Sequence, residues 1–506
     1  MGPLRTFWSL STPVALLAAT ACLLSAADFQ NGQAARAVLG QDSFSSSAGG
    51  LTPVSIAVQK EKLYVAHGSR QVWAFDLSRL PDTKGDGSEW RSNGCAVCIE
   101  APVSVANQSV TPGVARVSSW SNTVAAIDTV KRRVLLWRDA AAGGKQGEPD
   151  VIINHDNTAP GALLNPVSVA VDGKRLFVGD SVRHQVLVWN TLPTSDDQPP
   201  DVVLGAGETG AYYPGVALTR ADQIGIPSSL ASDGMNLFVG DTLRHRVLVF
   251  SPVDAPMLEG ATVNSASLVH QSYAPGTLVT ISGPNLSDAA KSSSGGEEDP
   301  LPTMLGGTEV LLDGVALPLL SVAKEQVQLQ LPYELAGRSS GSLYVRTHRR
   351  NGDITVTAPI VVDFASSSPG LFAFPGSEPR VGMLLHESSG ENGAGLPVTE
   401  ESKAKAGETL TIWAAGLGLV PATDNDSPAK AGIPFSGPSS EAINPVTAEV
   451  NGQPAEVISA RLPKSSVGVY EVRIAMPSIA IAKGEAQLRI FQNGIPSNTV
   501  MMPVQR

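Results

Sequence analysis

The sequence is short of aromatic residues and cysteine, and no cluster of Lys and Arg is large enough to offer an electrostatic footprint for nucleic acid. Aromatic residues make up 5% of the 506 residues, and there are 3 Cys. The formal net charge is −11, from 36 basic and 47 acidic residues, so we do not expect a nucleic-acid partner. The chain also lacks an HExxH motif, a P-loop and an EF-hand loop. These absences favour a protein that is not an enzyme, although distant residues can still assemble a site.

Long apolar runs are missing after the N-terminus. Residues 13–24 form an apolar run between Arg5 and the small residues 25–27. This arrangement is typical of a signal peptide, which we predict at residues 1–27. The run is too short to span a bilayer comfortably and ends at Asp28. We therefore expect a secreted protein without a membrane span, extracellular or on the cell surface, with the periplasm as the alternative.

Removal of the signal peptide would leave two cysteines, Cys95 and Cys98, in the sequence GCAVCIE. A c-type haem site needs His after the second Cys, and residue 99 is Ile. A zinc site would need a second Cys pair, which the chain does not have. In an exported protein this spacing favours a local disulfide between Cys95 and Cys98.

The chain is rich in turn-forming residues, with 49 Gly and 37 Pro, which suits an all-β fold. Residues 176–189 read LFVGDSVRHQVLVW, and residues 237–250 read LFVGDTLRHRVLVF. Fainter copies lie at 63–75 and 125–137. Each copy is a short apolar run, a polar turn and a second apolar run, which predicts a β-hairpin. A hairpin that recurs in this way buries its apolar faces by stacking against its copies.

Four units share this hairpin and two further β-type runs. A lead segment opens each unit, at Ala35, Cys95, Pro149 and Pro200. A strand headed by proline follows at Pro53, Pro166 and Pro227, and Pro112 is the best candidate in the second unit. Four strands per unit, with runs that are apolar on both faces, predict a β-propeller with four legible blades over residues 36–255.

The hairpin turns resemble those of NHL repeats. The residues that carry the resemblance are DSVRH at Asp180 and DTLRH at Asp241, with a partial match at Asp128 and the weakest at His67. The resemblance implies an NHL-like propeller, although such propellers often have six blades. Some NHL-like propellers are lyases or lactone hydrolases with a metal in the axial channel. That function would need Ca²⁺ or Zn²⁺ ligands on the inner strands, which here offer mainly hydroxyl groups.

Four residues occupy equivalent turn positions and should form a ring on one propeller face: His67, Asp128, Asp180 and Asp241. One interpretation is a ring that binds a metal or a cationic ligand. The other, which we favour, is that each Asp accepts hydrogen bonds from the amides of its own turn. His184 and His245 are likewise expected to be turn residues. No catalytic, cofactor-binding or metal-ligating residue is therefore assigned.

The C-terminal half contains a duplication. APGTLVTISGPNL at Ala274 is echoed by KAGETLTIWAAGL at Lys405, and two later landmarks recur in the same order. Short alternating strands and the hairpin signals Asp313-Gly and Asn451-Gly predict a β-sandwich in each copy. We expect two immunoglobulin-like domains, at 261–365 and 368–506, joined by a hinge at 366–370.

This half resembles an uncharacterised C-terminal domain family of secreted acidobacterial proteins. The matching stretches include VNSAS at Val263, VQLQLPYEL at Val327, SPGLF at Ser368 and GIPSNTV at Gly494. The resemblance implies export and tandem immunoglobulin-like domains, with no assigned activity. We therefore expect an exported scaffold whose propeller face binds a peptide, glycan or protein partner outside the cytoplasm. The immunoglobulin-like domains would serve as spacers or docking modules, and a secreted propeller lyase or hydrolase with an axial metal is the alternative.

Overall fold

The computed structural model describes residues 28–41, 43–45, 51–67, 71–80, 97–100, 114–139, 148–154, 163–205, 220–253, 255–257, 262–293, 300–387, 395–421, 429–478 and 484–505. These residues form mainly antiparallel sheets and a few short 3₁₀ turns, which confirms the all-β prediction. The turns lie at Leu77–Arg79, Thr242–Arg244 and Tyr333–Leu335. Within the described ranges, no helix is long and apolar enough to cross a membrane.

The strands of the first half are short, as the frequent Gly and Pro residues predict. They are β1 (Ala37–Leu39), β2 (Pro53–Gln59), β3 (Lys62–His67), β4 (Gln71–Asp76), β5 (Val97–Glu100), β6 (Val114–Trp120), β7 (Thr123–Asp128), β8 (Arg133–Trp137), β9 (Val151–Ile153), β10 (Pro166–Val171), β11 (Leu176–Asp180), β12 (Gln185–Trp189), β13 (Val202–Gly205), β14 (Pro227–Ser232), β15 (Leu237–Asp241), β16 (Arg246–Phe250) and β17 (Ala255–Met257).

Sixteen of these strands make four antiparallel sheets of four strands each. Sheet 1 has the order β2-β3-β4-β5, sheet 2 has β6-β7-β8-β9 and sheet 3 has β10-β11-β12-β13. Sheet 4 has the order β14-β15-β16-β1, because Val38 near the N-terminus pairs with Leu248. Each predicted lead segment is therefore the outer strand of the sheet before it, and the first lead completes the last sheet.

The first strand carries the same irregularity in every sheet. The register with the second strand shifts between Pro53 and Ser55, between Val114 and Arg116, between Pro166 and Ser168, and between Pro227 and Ser229. A β-bulge repeated at one position indicates copies of a single structural unit. In sheet 2 the position equivalent to the proline is Val114, and the predicted strand start at Pro112 lies outside the described residues.

Apolar layers join the four sheets in the order 2, 3, 4, 1. In β12, Leu187 and Trp189 pack against sheet 2, whereas Val186 and Val188 pack against sheet 4. A third layer joins sheets 4 and 1. This arrangement explains why β12 is apolar at successive positions, since both of its faces are buried.

Two glycines of the LFVGD hairpins allow neighbouring sheets to approach closely. A β-carbon at Gly179 would lie 2.9 Å from the carbonyl oxygen and 3.0 Å from the Cβ of Pro227 in sheet 4. A β-carbon at Gly240 would lie 3.4 Å from the Cβ of Pro53 in sheet 1. Ser168 also donates a hydrogen bond to the Pro227 carbonyl, at 2.5 Å. These contacts hold the first strands of sheets 3, 4 and 1 close together at the residues where they begin.

The second half contains β18 (Thr262–Asn264), β19 (Leu278–Ser282), β20 (Lys291–Ser292), β21 (Met304–Leu305), β22 (Thr308–Leu312), β23 (Val315–Ala316), β24 (Leu319–Ala323), β25 (Gln326–Gln330), β26 (Ser340–His348), β27 (Ile354–Ala358), β28 (Ile360–Asp363), β29 (Gly370–Leu371), β30 (Leu384–His386), β31 (Thr409–Ala415), β32 (Ser440–Glu441), β33 (Val446–Val450), β34 (Gln453–Ala455), β35 (Val457–Leu462), β36 (Tyr470–Ala475), β37 (Glu485–Gln492), β38 (Ile495–Pro496) and β39 (Val500–Pro503).

The same strand order occurs twice in this half. The order β19-β25-β24-β20 recurs as β31-β36-β35-β32, and the pair β22-β26 recurs as β33-β37. In each copy the two sheets share one apolar core, which includes Val279 and Val310 in the first copy and Ile412 and Val450 in the second. In β37 the burial alternates along the strand, because one face is solvated and the other contacts this core.

Specific polar contacts join the four-sheet region to the first C-terminal copy and join the two copies to each other. Arg220 donates from Nη1 to both carboxylate oxygens of Asp363, at 2.6 and 2.8 Å. The segment 366–370, which we expected to be a hinge, is held from both sides. Asn264 donates to the carbonyl of Ser368, whose amide donates to the carbonyl of Gly416. These contacts tie the segment to both copies.

The Asp313 turn gives a prediction about pH and stability. Burial raises the pKa of Asp313 to about 6, so the folded protein binds this proton more tightly than the unfolded chain does. Its contribution to stability is complete below pH 4 and is lost as the pH rises through 6. Asp313→Asn should therefore raise the free energy of unfolding by about 1–2 kcal/mol at pH 7.5 and change it little below pH 4.

Denaturant titrations at the two pH values measure this difference. The Asn451 side chain already accepts the amide of Gln487 in the second copy, as Asp313 accepts that of Ser342 in the first. The exposed Asp139→Asn serves as the matched control. An Asp313→Asn protein that is less stable than the wild type at both pH values would contradict the prediction.

Candidate functional site

The structure places the four predicted ring residues at one register position. His67, Asp128, Asp180 and Asp241 each end the second strand of a sheet. Each pairs with the residue that begins the first strand, for example Asp180 with Pro166. We call the end of the sheets where these residues lie the turn face. The side chain of His67 is outside the described part of the structure.

The Asp180 carboxylate is occupied by backbone amides. One oxygen accepts from the amides of Leu164 and Asn165, at 2.5 and 3.2 Å, and the other accepts from Val182 and Arg183, at 2.9 and 3.0 Å. Asp180 is fully buried. Its charge is therefore compensated by the loop before the first strand and by the turn that follows.

Asp241 binds the loop before the first strand of its sheet and holds a buried arginine, but its side chain does not cap its own turn, so the interpretation favoured from the sequence is wrong at this position. One of its oxygens accepts from the amides of Gly225 and Ile226, at 3.0 and 3.1 Å, and the other accepts from Nε of Arg246 at 3.1 Å. Both side chains of this ion pair are fully buried. Burial lowers the pKa of Arg246 to about 10, and the charge of Asp241 opposes the change. Such a pair needs all its partners in place, because a buried charge left alone is costly.

Asp128, like Asp180, caps its own turn. It accepts from the amide of Lys131 and from Nε of Arg133, both at 3.0 Å. The Lys131 amide is the main cause of the lowered pKa of Asp128. Within the described residues, no three His, Cys, Asp or Glu side chains are grouped as a metal site would require. The aspartates therefore bind the chain itself.

The turns that follow these aspartates expose aliphatic side chains. The side chain two residues after each aspartate is largely exposed. The exposed fraction is 74% for Val130, 52% for Val182 and 50% for Leu243. Each turn ends in a left-handed residue, with φ of 53° at Arg132, 56° at His184 and 53° at His245. The turns keep an apolar side chain in solvent at an equivalent position, and the sequence analysis did not single out these residues.

Two of the turn histidines contact the next sheet. Nδ1 of His184 lies within hydrogen-bond distance of the carbonyl oxygen of Gly225 in the loop that leads into sheet 4. Nδ1 of His245 lies 3.0 Å from the hydroxyl of Thr52, which precedes sheet 1. Both histidines thus link neighbouring sheets.

At the opposite end of the sheets lies an aromatic residue. Trp120, which is 39% exposed, ends the first strand of sheet 2. Its ring reaches the hairpin turns of sheets 3 and 4, since β-carbons at Gly173 and Gly234 would lie 2.8 Å and 3.3 Å from it. The turns of the turn face themselves contain no Phe, Tyr or Trp.

A second candidate site is a cleft of about 770 Å³ in the last unit. Its lining includes His386, Ser402 and Glu408. Nδ1 of His386 lies 3.0 Å from Oε2 of Glu408, and Nε2 lies 3.1 Å from Oγ of Ser402. Nε2 is also 3.1 Å from the carbonyl oxygen of Ser402. Sequence reasoning missed this cluster because the loop that joins its members has no recognisable spacing.

The predicted disulfide lies outside the described residues. Cys95 is in a range that the structure does not describe, and Cys98 is described only as part of the β5 backbone. The pairing of these two cysteines therefore stays a prediction.

Comparisons with known proteins assign neither a family nor a function. No family model and no curated protein matches the chain. The computationally designed Ika4 protein is 12% identical, with a TM-score of 0.17 over 40% of this chain and 92% of that chain. BamB from Moraxella catarrhalis is 10% identical, with a TM-score of 0.16 over 84% of this chain and 86% of that chain. No argument rests on similarities this low.

Proposed function

We propose that residues 36–255 form an NHL-like propeller with four legible blades and that 261–365 and 368–506 are two immunoglobulin-like sandwiches. Three observations support the propeller: the repeated bulge, the apolar layers on both faces of sheets 3 and 4, and the N-terminal strand that completes sheet 4. A propeller whose last blade is completed by the first strand is held by pairing between the two ends of the repeat region.

The protein in this proposal is an exported scaffold that is not an enzyme and that recognises a partner through its turn face. One observation carries the proposal: the aspartate carboxylates beside the turns bond within the protein, while Val130, Val182 and Leu243 are left in solvent. Aliphatic side chains held in solvent on fixed turns are suited to docking. They supply no group that could transfer a proton or activate a nucleophile.

The immunoglobulin-like units act as spacers or docking modules that hold the propeller at a fixed orientation. The Arg220–Asp363 contact and the fastened segment 366–370 support this role. The proposed location is outside the cytoplasm, which rests on the predicted signal peptide at 1–27.

Site-specific photo-crosslinking tests the recognition face. A benzoylphenylalanine at position 182 or 243 should capture one partner in the cells that export the protein. The same group at position 235 is the matched control, because Met235 is 47% exposed but lies in the hairpin turn at the opposite end of sheet 4. Capture from position 235 alone, or equally from all three positions, would contradict the proposed face.

A second candidate function is hydrolysis of an ester at the cleft. The His386 ring lies between a hydroxyl and a carboxylate, as in an acyl-transfer triad of nucleophile, base and acid. Ser402 Oγ would bond to the acyl carbon and pass its proton to Nε2, which would give it to the departing alcohol. The Ser402 carbonyl competes for Nε2, which favours a structural role for His386.

Labelling with a fluorophosphonate probe decides between the two functions. If the protein is a scaffold, labelling of the purified wild type should not exceed that of Ser402→Ala. The hydrolase requires stoichiometric labelling that is lost in both Ser402→Ala and His386→Ala, with the fold retained by circular dichroism. That result would overturn the proposal of a protein without enzymatic activity.

A further inference from the structure

The turns of sheets 3 and 4 are joined into one surface. Gly225, which precedes sheet 4, contacts His184 from the sheet 3 turn through its carbonyl oxygen. On the other side it is covered by Leu243, since a β-carbon at Gly225 would lie 2.8 Å from the Cβ of Leu243. The exposed Val182 and Leu243 therefore lie on the same surface, with His184 and Gly225 between them.

This surface extends to sheet 1 through His245, which contacts Thr52. We call the path defined by Val182, His184, Leu243 and His245 the aliphatic strip. Two buried carboxylates lie beneath it: Asp180 binds two amides of its own turn, and Asp241 binds the amides of Gly225 and Ile226 in the loop beside the second turn. A surface that is already ordered loses little conformational entropy when a partner binds.

The charged residues of the turns around the strip are all basic. The turn residues 181–184 and 242–245 include Arg183 and Arg244 and contain no acidic residue, and 129–132 in sheet 2 follows the same pattern. The acidic residues below the strip, Asp180 and Asp241, are 0% exposed. The strip thus lies beside basic side chains of the turns, on a chain whose formal net charge is −11.

The guanidinium of Arg244 lies beside the buried carboxylate of Asp241. Its Nη1 is buried and lies 3.9 Å from Oδ2 of Asp241, and the side chain is 14% exposed. A ligand carboxylate would therefore be attracted by the charge of this side chain, without a direct bond to Nη1. Leu243 and the cationic Arg244 lie on the same turn.

We propose that the partner of the aliphatic strip is an acidic segment of a protein that also carries aliphatic side chains. The inference rests on the proposed recognition function and narrows its partner from peptide, glycan or protein to one class. The positive charges of Arg183 and Arg244 attract carboxylates of the segment, and its apolar side chains cover Val182 and Leu243. Single-stranded nucleic acid is bound mainly on platforms of Phe, Tyr and Trp, and the turns of this face have none of these three residues.

Selection from a phage-displayed library of random peptides about 12 residues long tests the partner class. The mature wild type, the double variant Val182→Ser/Leu243→Ser and the control Met235→Ser are used as bait. Peptides enriched on the wild type and the control, but not on the double variant, should be acidic and contain aliphatic residues. All three replaced side chains are about half exposed, so the variants should keep the fold, which thermal unfolding checks.

Fluorescence anisotropy of the most enriched peptide then measures affinity. We expect binding at least about tenfold weaker to the double variant, because two apolar contacts are lost, and binding to Met235→Ser equal to that of the wild type. Affinity should fall as sodium chloride rises from about 50 to about 500 mM. Peptides that are basic or neutral, or a peptide that binds the double variant equally well, would overturn the inference.

The outcomes separate this inference from the proposed function. Basic peptides selected by the wild type and lost in the double variant would refute an acidic partner and leave recognition by the turn face standing. Binding of labelled oligothymidylate or of arrayed glycans that depends on Val182 and Leu243 would also refute an acidic protein segment as the partner and leave recognition by the turn face standing. Acidic peptides that bind all variants equally would refute both the strip and the proposed recognition face.

Discussion

The turn face depends on carboxylates that are buried at the ends of strands. Asp180 and Asp241 are removed from water at the ends of β11 and β15, and a buried charge is tolerated only when hydrogen bonds replace its solvation. Those hydrogen bonds come from backbone amides of the loop before each first strand. The carboxylate therefore fixes the position of that loop, and the loop fixes the start of the next strand. The geometry of the turns follows from this requirement.

This constraint also explains why the same residues could suggest a metal site. An Asp repeated at one position in several sheets is what a ring of cation ligands would require. The structure directs the Asp180 and Asp241 oxygens to amides and the remaining Asp241 oxygen to Arg246. A function based on recognition by exposed side chains agrees better with this arrangement than chemistry at the carboxylates does.

Local patterns predicted the hairpins well, because a hairpin is specified by residues that are adjacent in sequence. LFVGDSVRHQVLVW at 176–189 forms β11 and β12 with the expected turn. The partner of β1 could not be predicted, because three residues, Ala37–Leu39, pair with a strand about 200 positions away and carry no signal for it. Sequence patterns also carry no signal for the exposure of Val182 and Leu243 or for the cluster around His386. Their roles depend on exposure or on contacts between distant residues.

Amide hydrogen exchange at Gly225 and Ile226 tests most directly whether the buried carboxylate organises the turn face. If Asp241 holds this loop, both amides should exchange about a thousandfold or more slowly than amides of an unstructured peptide. In Asp241→Ala, both should exchange much faster, while amides of β37 in the last unit remain as in the wild type. Fast exchange of both amides in the wild type, or slow exchange that persists in Asp241→Ala, would contradict the account.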